Sequence, residues 1–186
     1  MTQLTTGIIL RRDHYNDFDR QYIVYTRDLG KVTAIAKGAK KIISKLSGHL
    51  EPFLVIDLML AGNSRYKRVA GAGIAKRYRK ISGSLEKIII ADYFLEAIDA
   101  LIKYDFIDQE VFFLADNFLA ELSLAPDAKH GLLILNKSLF GLLSHLGYCP
   151  VIRAKTQRQL IIELNNLAVN VGEKEIRTFN SLLKIF

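Results

Sequence analysis

The chain has 186 residues, half of them apolar, and its 26 Lys/Arg against 19 Asp/Glu give a net charge of +7. That length and apolar content suit one sizeable core or two small ones and exclude global disorder, and the apolar runs are too short to span a bilayer. No charged amino-terminal region precedes a long apolar stretch, so a soluble, cytoplasmic protein without a secretory leader is expected.

The single cysteine, Cys149, cannot form an internal disulfide, and alone it cannot build a tetrahedral zinc site, which takes about four ligands. The charge is divided unevenly: residues 1–83 hold 16 Lys/Arg against 6 Asp/Glu, and residues 84–186 hold 10 against 13. A basic half joined to a mildly acidic half points to a polyanion partner, because Lys/Arg clusters release counterions when they neutralise phosphates. Nucleic acid is one such polyanion and an anionic membrane surface is the alternative.

From the start to about residue 80, short β-branched and aromatic runs alternate at near period two between Gly, Asp and Asn clusters, the pattern of strands. They fall near residues 6–11, 21–27, 31–37, 53–60 and 66–76, with hairpin turns at Asp28-Leu29-Gly30 and Gly62-Asn63. Five strands on this spacing suit a small closed barrel of the oligonucleotide/oligosaccharide-binding (OB) type, with Gly71 and Gly73 permitting the bends that close it.

At Ser84 the period changes. Leu85, Ile88, Ala91, Leu95, Ile98 and Ile102 recur at three and four, with Asp92, Glu96, Asp99 and Lys103 between them, as in an amphipathic helix. Asp108 and Glu110 open a second helix through about Leu122. Pro126-Asp127 opens a third, striped by Leu132, Leu135, Leu139, Leu142 and Leu146, that ends near Gly147.

In the tail, Leu160, Ile162 and Leu164, then Asn165-Asn166, then Leu167, Val169 and Val171 read as a β-hairpin, because Asn tolerates the positive φ of a two-residue turn; a helix is the alternative. Gly172 then introduces a short last helix, with Glu173 and Glu175 at its positive end and Ile176, Phe179, Leu182 and Leu183 on one face. The expected fold is α+β: a five-stranded OB-type β-barrel over residues 1–80, then an α-helical carboxy-terminal domain over residues 81–186 with a small β-hairpin.

Particular residues carry a family resemblance. Thr6-Gly7-Ile8-Ile9-Leu10-Arg11, residues 15–20, Thr26-Arg27-Asp28-Leu29-Gly30-Lys31, Ala36-Lys37-Gly38-Ala39-Lys40-Lys41, residues 44–48 and Leu50-Glu51-Pro52-Phe53 resemble, in order and spacing, the amino-terminal domain of the RecO family of recombination mediators. Leu142-Leu143-Ser144-His145-Leu146-Gly147-Tyr148-Cys149-Pro150 resembles the helix end that precedes the family's zinc-binding insert. The resemblance implies an OB-fold DNA-binding domain, binding of single- and double-stranded DNA, and annealing of complementary strands. Its implied partners are RecR and single-strand-binding protein, with recombinase loading as the outcome, and no membrane. Many relatives carry four cysteines after the Gly-Tyr-x-Pro segment. Here only Cys149 is present, so no metal or other cofactor is expected, and residues 150–186 read as a reduced, metal-free form of that module.

The basic run around Lys37, Lys40, Lys41, Ser44 and Lys45 is the leading candidate for backbone contact: Gly38 allows close approach, Ser44 can donate to a phosphate oxygen, and the lysines add charge without reading sequence. Arg65, Lys67 and Arg68, with Lys76, Arg77, Arg79 and Lys80, form a second cluster. Strand alternation puts Lys67 and Arg68 on opposite faces, so a subset binds. Arg11 and Arg20 join the set, and Tyr15 and Tyr66 are candidate stacking residues. Phe18 is a further candidate for stacking, while Tyr22 and Tyr25 are read as packed in or against the barrel.

Asp13, Asp17 and Asp19 could hold ions for phosphodiester hydrolysis, yet they lack a supporting Glu or His, and Asp19-Arg20 reads more simply as a structural pair. His14, His49, His130 and His145 have no metal-ligand spacing, and Gly71-Ala72-Gly73 lacks the rest of a phosphate-binding loop. No nucleophile, base and orienting acid come together, so a protein without catalytic residues is expected. The competing readings are an RNA-binding OB protein and an adaptor whose helices dock partners.

Overall fold

The computed structural model describes residues 2–40, 47–62, 66–104 and 106–186. The chain divides into two units, residues 1–77 with 103–113, and residues 78–102 with 114–186.

The first unit is built on β1 (Thr2–His14), β2 (Arg20–Thr26), β3 (Gly30–Ala36), β4 (Leu54–Ala61) and β5 (Tyr66–Arg77). The five strands close in the order β1-β2-β3-β5-β4, all neighbours antiparallel except β3 and β5. Alternation supplies the core: Ile9, Tyr22, Val24, Val32, Ala34, Leu54, Ile56, Leu58, Leu60 and Val69 form one buried cluster. In β4 the intervening Asp57 and Met59 face solvent. Closure uses register shifts, one in β1 between Ile9 and Arg11 and two along the β4–β5 pairing, bracketing the run in which Asp57 and Met59 oppose Gly73 and Gly71. Gly30 closes the β2–β3 turn at φ +64°, a conformation that suits glycine. It also lies so close to the Phe106 carbonyl that a Cβ would collide with it.

Tyr104 and Asp108 lie against the outside of β2 and β3. The Tyr25 hydroxyl donates to the Asp108 carbonyl at 2.9 Å and accepts the Asp108 N–H at 3.2 Å, and Thr33 Oγ1 donates to the Tyr104 hydroxyl at 3.3 Å. The Lys31 ammonium sits 4.8 Å from the Tyr104 ring centre.

The second unit holds α1 (Arg79–Ser82), α2 (Leu85–Leu101), the part of α3 (Gln109–Leu124) from residue 114 onward, α4 (Ala128–His145), α5 (Gln157–Gly172) and α6 (Phe179–Leu183). Side chains cap three of these helices: Ser84, Asp127 and Thr156 accept the N–H groups of Lys87, His130 and Gln159. Phe94 stacks on Phe118 with ring centres 4.1 Å apart. Among the described residues no helix is long and apolar enough to cross a membrane.

Three expectations for this half are corrected. The tail hairpin is the single helix α5: the buried residues are Ile161, Leu164, Asn165 and Ala168, at helical spacing, and not the alternating set beginning Leu160, Ile162. Asn165, read as a turn residue, lies in mid-helix and accepts the Tyr93 hydroxyl at 3.1 Å. Gly172 is instead the last residue of α5, where a Cβ would fall 2.9 Å from the Ala100 carbonyl oxygen. Glu173 and Glu175 therefore precede α6, whose first turn holds no acid. Finally, α2 is not simply amphipathic, since Glu96 and Asp99 are buried while Leu85 is exposed. Residues 174–178 satisfy both carboxylates. Lys174 reaches Asp99 at 2.6 Å, Arg177 reaches Glu96 at 3.0 Å, and the Thr178 N–H and hydroxyl donate to Glu96 at 3.0 and 2.7 Å.

Candidate nucleic-acid interface

Register sorts the candidate residues by face. On β5, paired to β3 through Thr33↔Tyr66, Ala34↔Lys67 and Ile35↔Arg68, the side chains alternate. Tyr66 and Arg68 are exposed on the outer face, and Lys37 is exposed in the turn that follows β3. Lys67 shares the core-facing side with Val69 and, half-buried, donates to Gln3 Oε1 at 3.0 Å. Arg11 lies on the outer face in the row Arg11↔Ile23↔Thr33↔Tyr66, but Asp13 takes its guanidinium Nε at 2.9 Å.

Arg20 pairs with His14 and Ala36 at the other face, at the barrel's end near Tyr22. The Tyr22 phenol is raised above its ordinary range by burial, with Arg20 and Arg12 pulling the other way. Tyr22 and Tyr25 are both buried, Tyr22 in the barrel core and Tyr25 against its outer side beside Asp108.

The loop between β1 and β2 is fixed to the turn that follows β3. Asn16 Oδ1 accepts the N–H groups of Phe18 and Asp19 at 3.0 and 2.8 Å, and Asn16 Nδ2 donates to Asp19 Oδ2 at 2.9 Å. Asp19 Oδ1 accepts the Gly38 N–H at 2.7 Å, and the Lys40 N–H donates to the Phe18 carbonyl at 3.0 Å. The Lys40 ammonium donates to the Asn16 carbonyl. The Gly38 N–H holds the Asp19 carboxyl below its usual range, helped by Asn16 and by the nearby Lys37 and Lys40 charges. Asp19 is thus paired with Gly38 and Asn16, not with Arg20 as the sequence pattern suggests. Two rings stand out from this frame, Tyr15 at 50% exposure and Phe18 at 60%, and Tyr66 is 61% exposed.

Lys41, Ser44, Lys45 and Arg65 lie outside the described residues, as does Asn63 of the proposed turn. Among the described residues no group of three or more His, Cys, Asp or Glu is placed to hold a metal ion, and Cys149 is exposed and unbridged. Sequence reasoning leaves Phe18 outside the leading binding set. The signal available was Asn16 followed two and three residues later by backbone donors, the pattern of a local Asn-capped turn that orders a loop.

Comparison with known proteins places the chain. The family model described as "Recombination protein O N terminal" matches residues 1–89. A protein named DNA repair protein RecO from Bifidobacterium longum subsp. infantis is 32% identical over 162 residues, covering 84% of this chain and 68% of the relative. Its namesake from a Synechococcus species is 29% identical over 162 residues, covering 82% of this chain and 57% of the relative. Another, from Clostridium perfringens, is 31% identical over 143 residues, covering 76% and 57%. The chain spans only 54 to 59% of the length of several of its most similar relatives.

Proposed function

This chain belongs to the RecO family of DNA repair proteins, and from that premise we propose that it is a recombination mediator acting on DNA without catalytic residues of its own. In this reading the closed five-stranded unit is an OB-type barrel that binds the backbones of single- and double-stranded DNA. It anneals complementary strands, and with RecR and single-strand-binding protein it helps load recombinase in the bacterial cytoplasm.

The observation that carries the reading is the concentration of positive charge on residues 1–83, with Arg68 exposed on the outer face of β5 and Lys37 exposed in the turn that follows β3. Such groups attract phosphate and carry no sequence information, as a protein that acts on any gapped duplex requires. Annealing needs one surface to hold two mutually repelling strands close together, and clustered cations lower that repulsion.

A strand-annealing assay on the purified chain, with and without single-strand-binding protein, tests the reading. Acceleration of annealing that weakens with salt is expected. Annealing no faster than the spontaneous reaction at any salt would overturn it, and stronger binding to an RNA competitor than to DNA of the same sequence would shift the substrate to RNA.

A further inference from the structure

At one end of the barrel, register turns basic residues to the inner side of the sheet. Arg12 pairs with Tyr22 and Tyr22 with Ala34; in the next row out, His14 pairs with Arg20 and Arg20 with Ala36. Directly paired residues share a face, and Tyr22, Ala34 and Ala36 belong to the core, so Arg12, His14 and Arg20 stand on that same inner side. The register shift between Ile9 and Arg11 is responsible. Unbroken alternation from the core residue Ile9 would have turned Arg11 and Asp13 inward instead.

The Tyr22 hydroxyl lies among them. Tyr22 is 1% exposed, and its hydroxyl has no hydrogen bond of ordinary geometry among the described residues. Burial pushes the phenol up, while the Arg20 and Arg12 guanidiniums pull it back against Glu51, so two cations and one carboxylate lie near that oxygen. A buried hydroxyl left unpaired costs about 1–3 kcal/mol, which calls for a partner from outside the fold. Guanidiniums only donate, so the group that satisfies all three is an anionic oxygen cluster, and paired N–H donors from neighbouring strands match phosphate. Glu51 is the acid of the cluster. It faces Arg12 at 3.8 Å with the two side chains 47% and 41% exposed, a weak pair that an incoming anion can replace. Asp13 is committed to Arg11 on the outer face, and Asp19 to Gly38 and Asn16, while Asp17 is exposed in the loop between β1 and β2.

We propose that Arg12, Arg20 and the Tyr22 hydroxyl form a phosphate-binding site at this end of the barrel, the hydroxyl donating to one phosphate oxygen and the guanidiniums to the others. His14 stands in the row of Arg20 as a further donor. The site is separate from Arg68, which lies on the outer face and adds charge without enclosing a phosphate. A free phosphate and a phosphate carried by DNA present the same chemistry to these groups; that the occupant belongs to DNA rests on the DNA-binding reading above.

Inorganic phosphate is the first probe. At constant ionic strength it should raise the melting temperature of the wild-type chain saturably, and Tyr22→Phe and Arg20→Gln should lose the saturable part while keeping the general effect of the salt. In phosphate-free buffer Tyr22→Phe should melt no lower than wild type, because it removes a hydroxyl that the free chain leaves unpaired; a hydroxyl with a structural role would give the opposite sign. The second probe is a pair of oligothymidines, one ending in a 5′-phosphate and one in a 5′-hydroxyl, measured by anisotropy. Tighter binding of the phosphorylated strand that both variants abolish assigns the site to strand ends. Equal affinities, each lowered about tenfold by both variants, assign it to backbone phosphates. Affinities that neither variant changes, with the saturable phosphate effect intact, assign it to free phosphate. No saturable effect of phosphate, the same effect in the folded variants, or a lower melting temperature for phosphate-free Tyr22→Phe overturns the site whatever the oligonucleotides do. A wild-type chain that responds to phosphate but binds neither oligonucleotide overturns the DNA-binding reading and leaves the site standing.

Discussion

The Asp19 carboxylate accepts the Gly38 backbone N–H at 2.7 Å across two loops of the barrel, and Gly38 itself sits at φ +66°. One acid thus fixes the start of the basic segment to the loop that carries Tyr15 and Phe18. Asp19→Ala should leave the barrel folded, raise hydrogen exchange at the Gly38 amide, and weaken DNA binding several-fold through disorder of the two loops. The lock has a pH dependence of known sign. The Asp19 carboxyl lies below its ordinary value of 3.8, so the bond is at full strength above that value and is lost as pH falls through the lowered pKa. Protection of the Gly38 amide that persists in Asp19→Ala would place the restraint elsewhere.

Gly38 supplies a second test of the same bond. A side chain at a positive φ costs about 1 kcal/mol, so Gly38→Ala should lower stability by roughly that amount in urea unfolding. Gly48 has open space where a Cβ would go and no positive φ, so Gly48→Ala should not.

Tyr25 joins β2 to Asp108 by donating to its carbonyl and accepting its N–H, and burial pushes the phenol up to about 12. Tyr25→Phe keeps the ring and removes both bonds, leaving the Asp108 N–H and carbonyl without that partner. A loss of about 1–2 kcal/mol in urea unfolding is expected, with DNA affinity within about twofold of wild type. Wild-type stability would show that the hydroxyl contributes nothing net.

Glu96 and Arg177 are ion-pair partners of unequal weight. The Glu96 side chain is only 10% exposed and accepts bonds from both Arg177 and Thr178, whereas the Arg177 side chain is 73% exposed. Burial works against the Glu96 charge, but these bonds outweigh it and hold the carboxyl below its usual range. Glu96→Ala should therefore cost about 2 kcal/mol, and Arg177→Ala under about 1 kcal/mol. The contribution of Glu96 is present above the ordinary glutamate value of 4.5 and fades as pH falls through the lowered pKa, so the gap between wild type and Glu96→Ala should narrow in acid. Equal losses for the two variants at neutral pH would contradict the assignment.

The strands were legible because period-two alternation and Gly, Asp and Asn punctuation are local signals. All five expected strands form, four with boundaries within about one residue of those read from the pattern and the first extending well beyond residues 6–11 to Thr2–His14, and Ser84, Asp127 and the stripe from Leu132 to Leu142 mark their helices. The tail was ambiguous by construction, since Leu160, Ile161 and Ile162 are all apolar and satisfy either period. Tertiary packing decides it, through Tyr93 bonding to Asn165, 72 residues away in sequence. Glu96 and Asp99 misled for the same reason: their partners lie 81 and 75 residues downstream, and nothing local announces that they are buried. At the candidate site the basic run was visible, but the Asp19–Gly38 bond that orders the loop was not. Lys40 proved to be tied to Asn16 as well as charged, so reversing it would disturb the loop along with the field.

Lys37 and Arg68 are therefore the cleaner pair for testing whether exposed cations on the barrel hold DNA. The decisive measurement is the salt dependence of oligonucleotide affinity for the wild-type chain and for Lys37→Glu/Arg68→Glu. If about four phosphates are neutralised, log affinity should fall against log salt with a slope of roughly −3 to −4. The double variant, with unchanged melting, should bind at least about tenfold more weakly and show a slope shallower by about 2, one for each phosphate left without its cation. A salt-independent affinity, or a folded double variant with wild-type affinity and slope, would contradict the account.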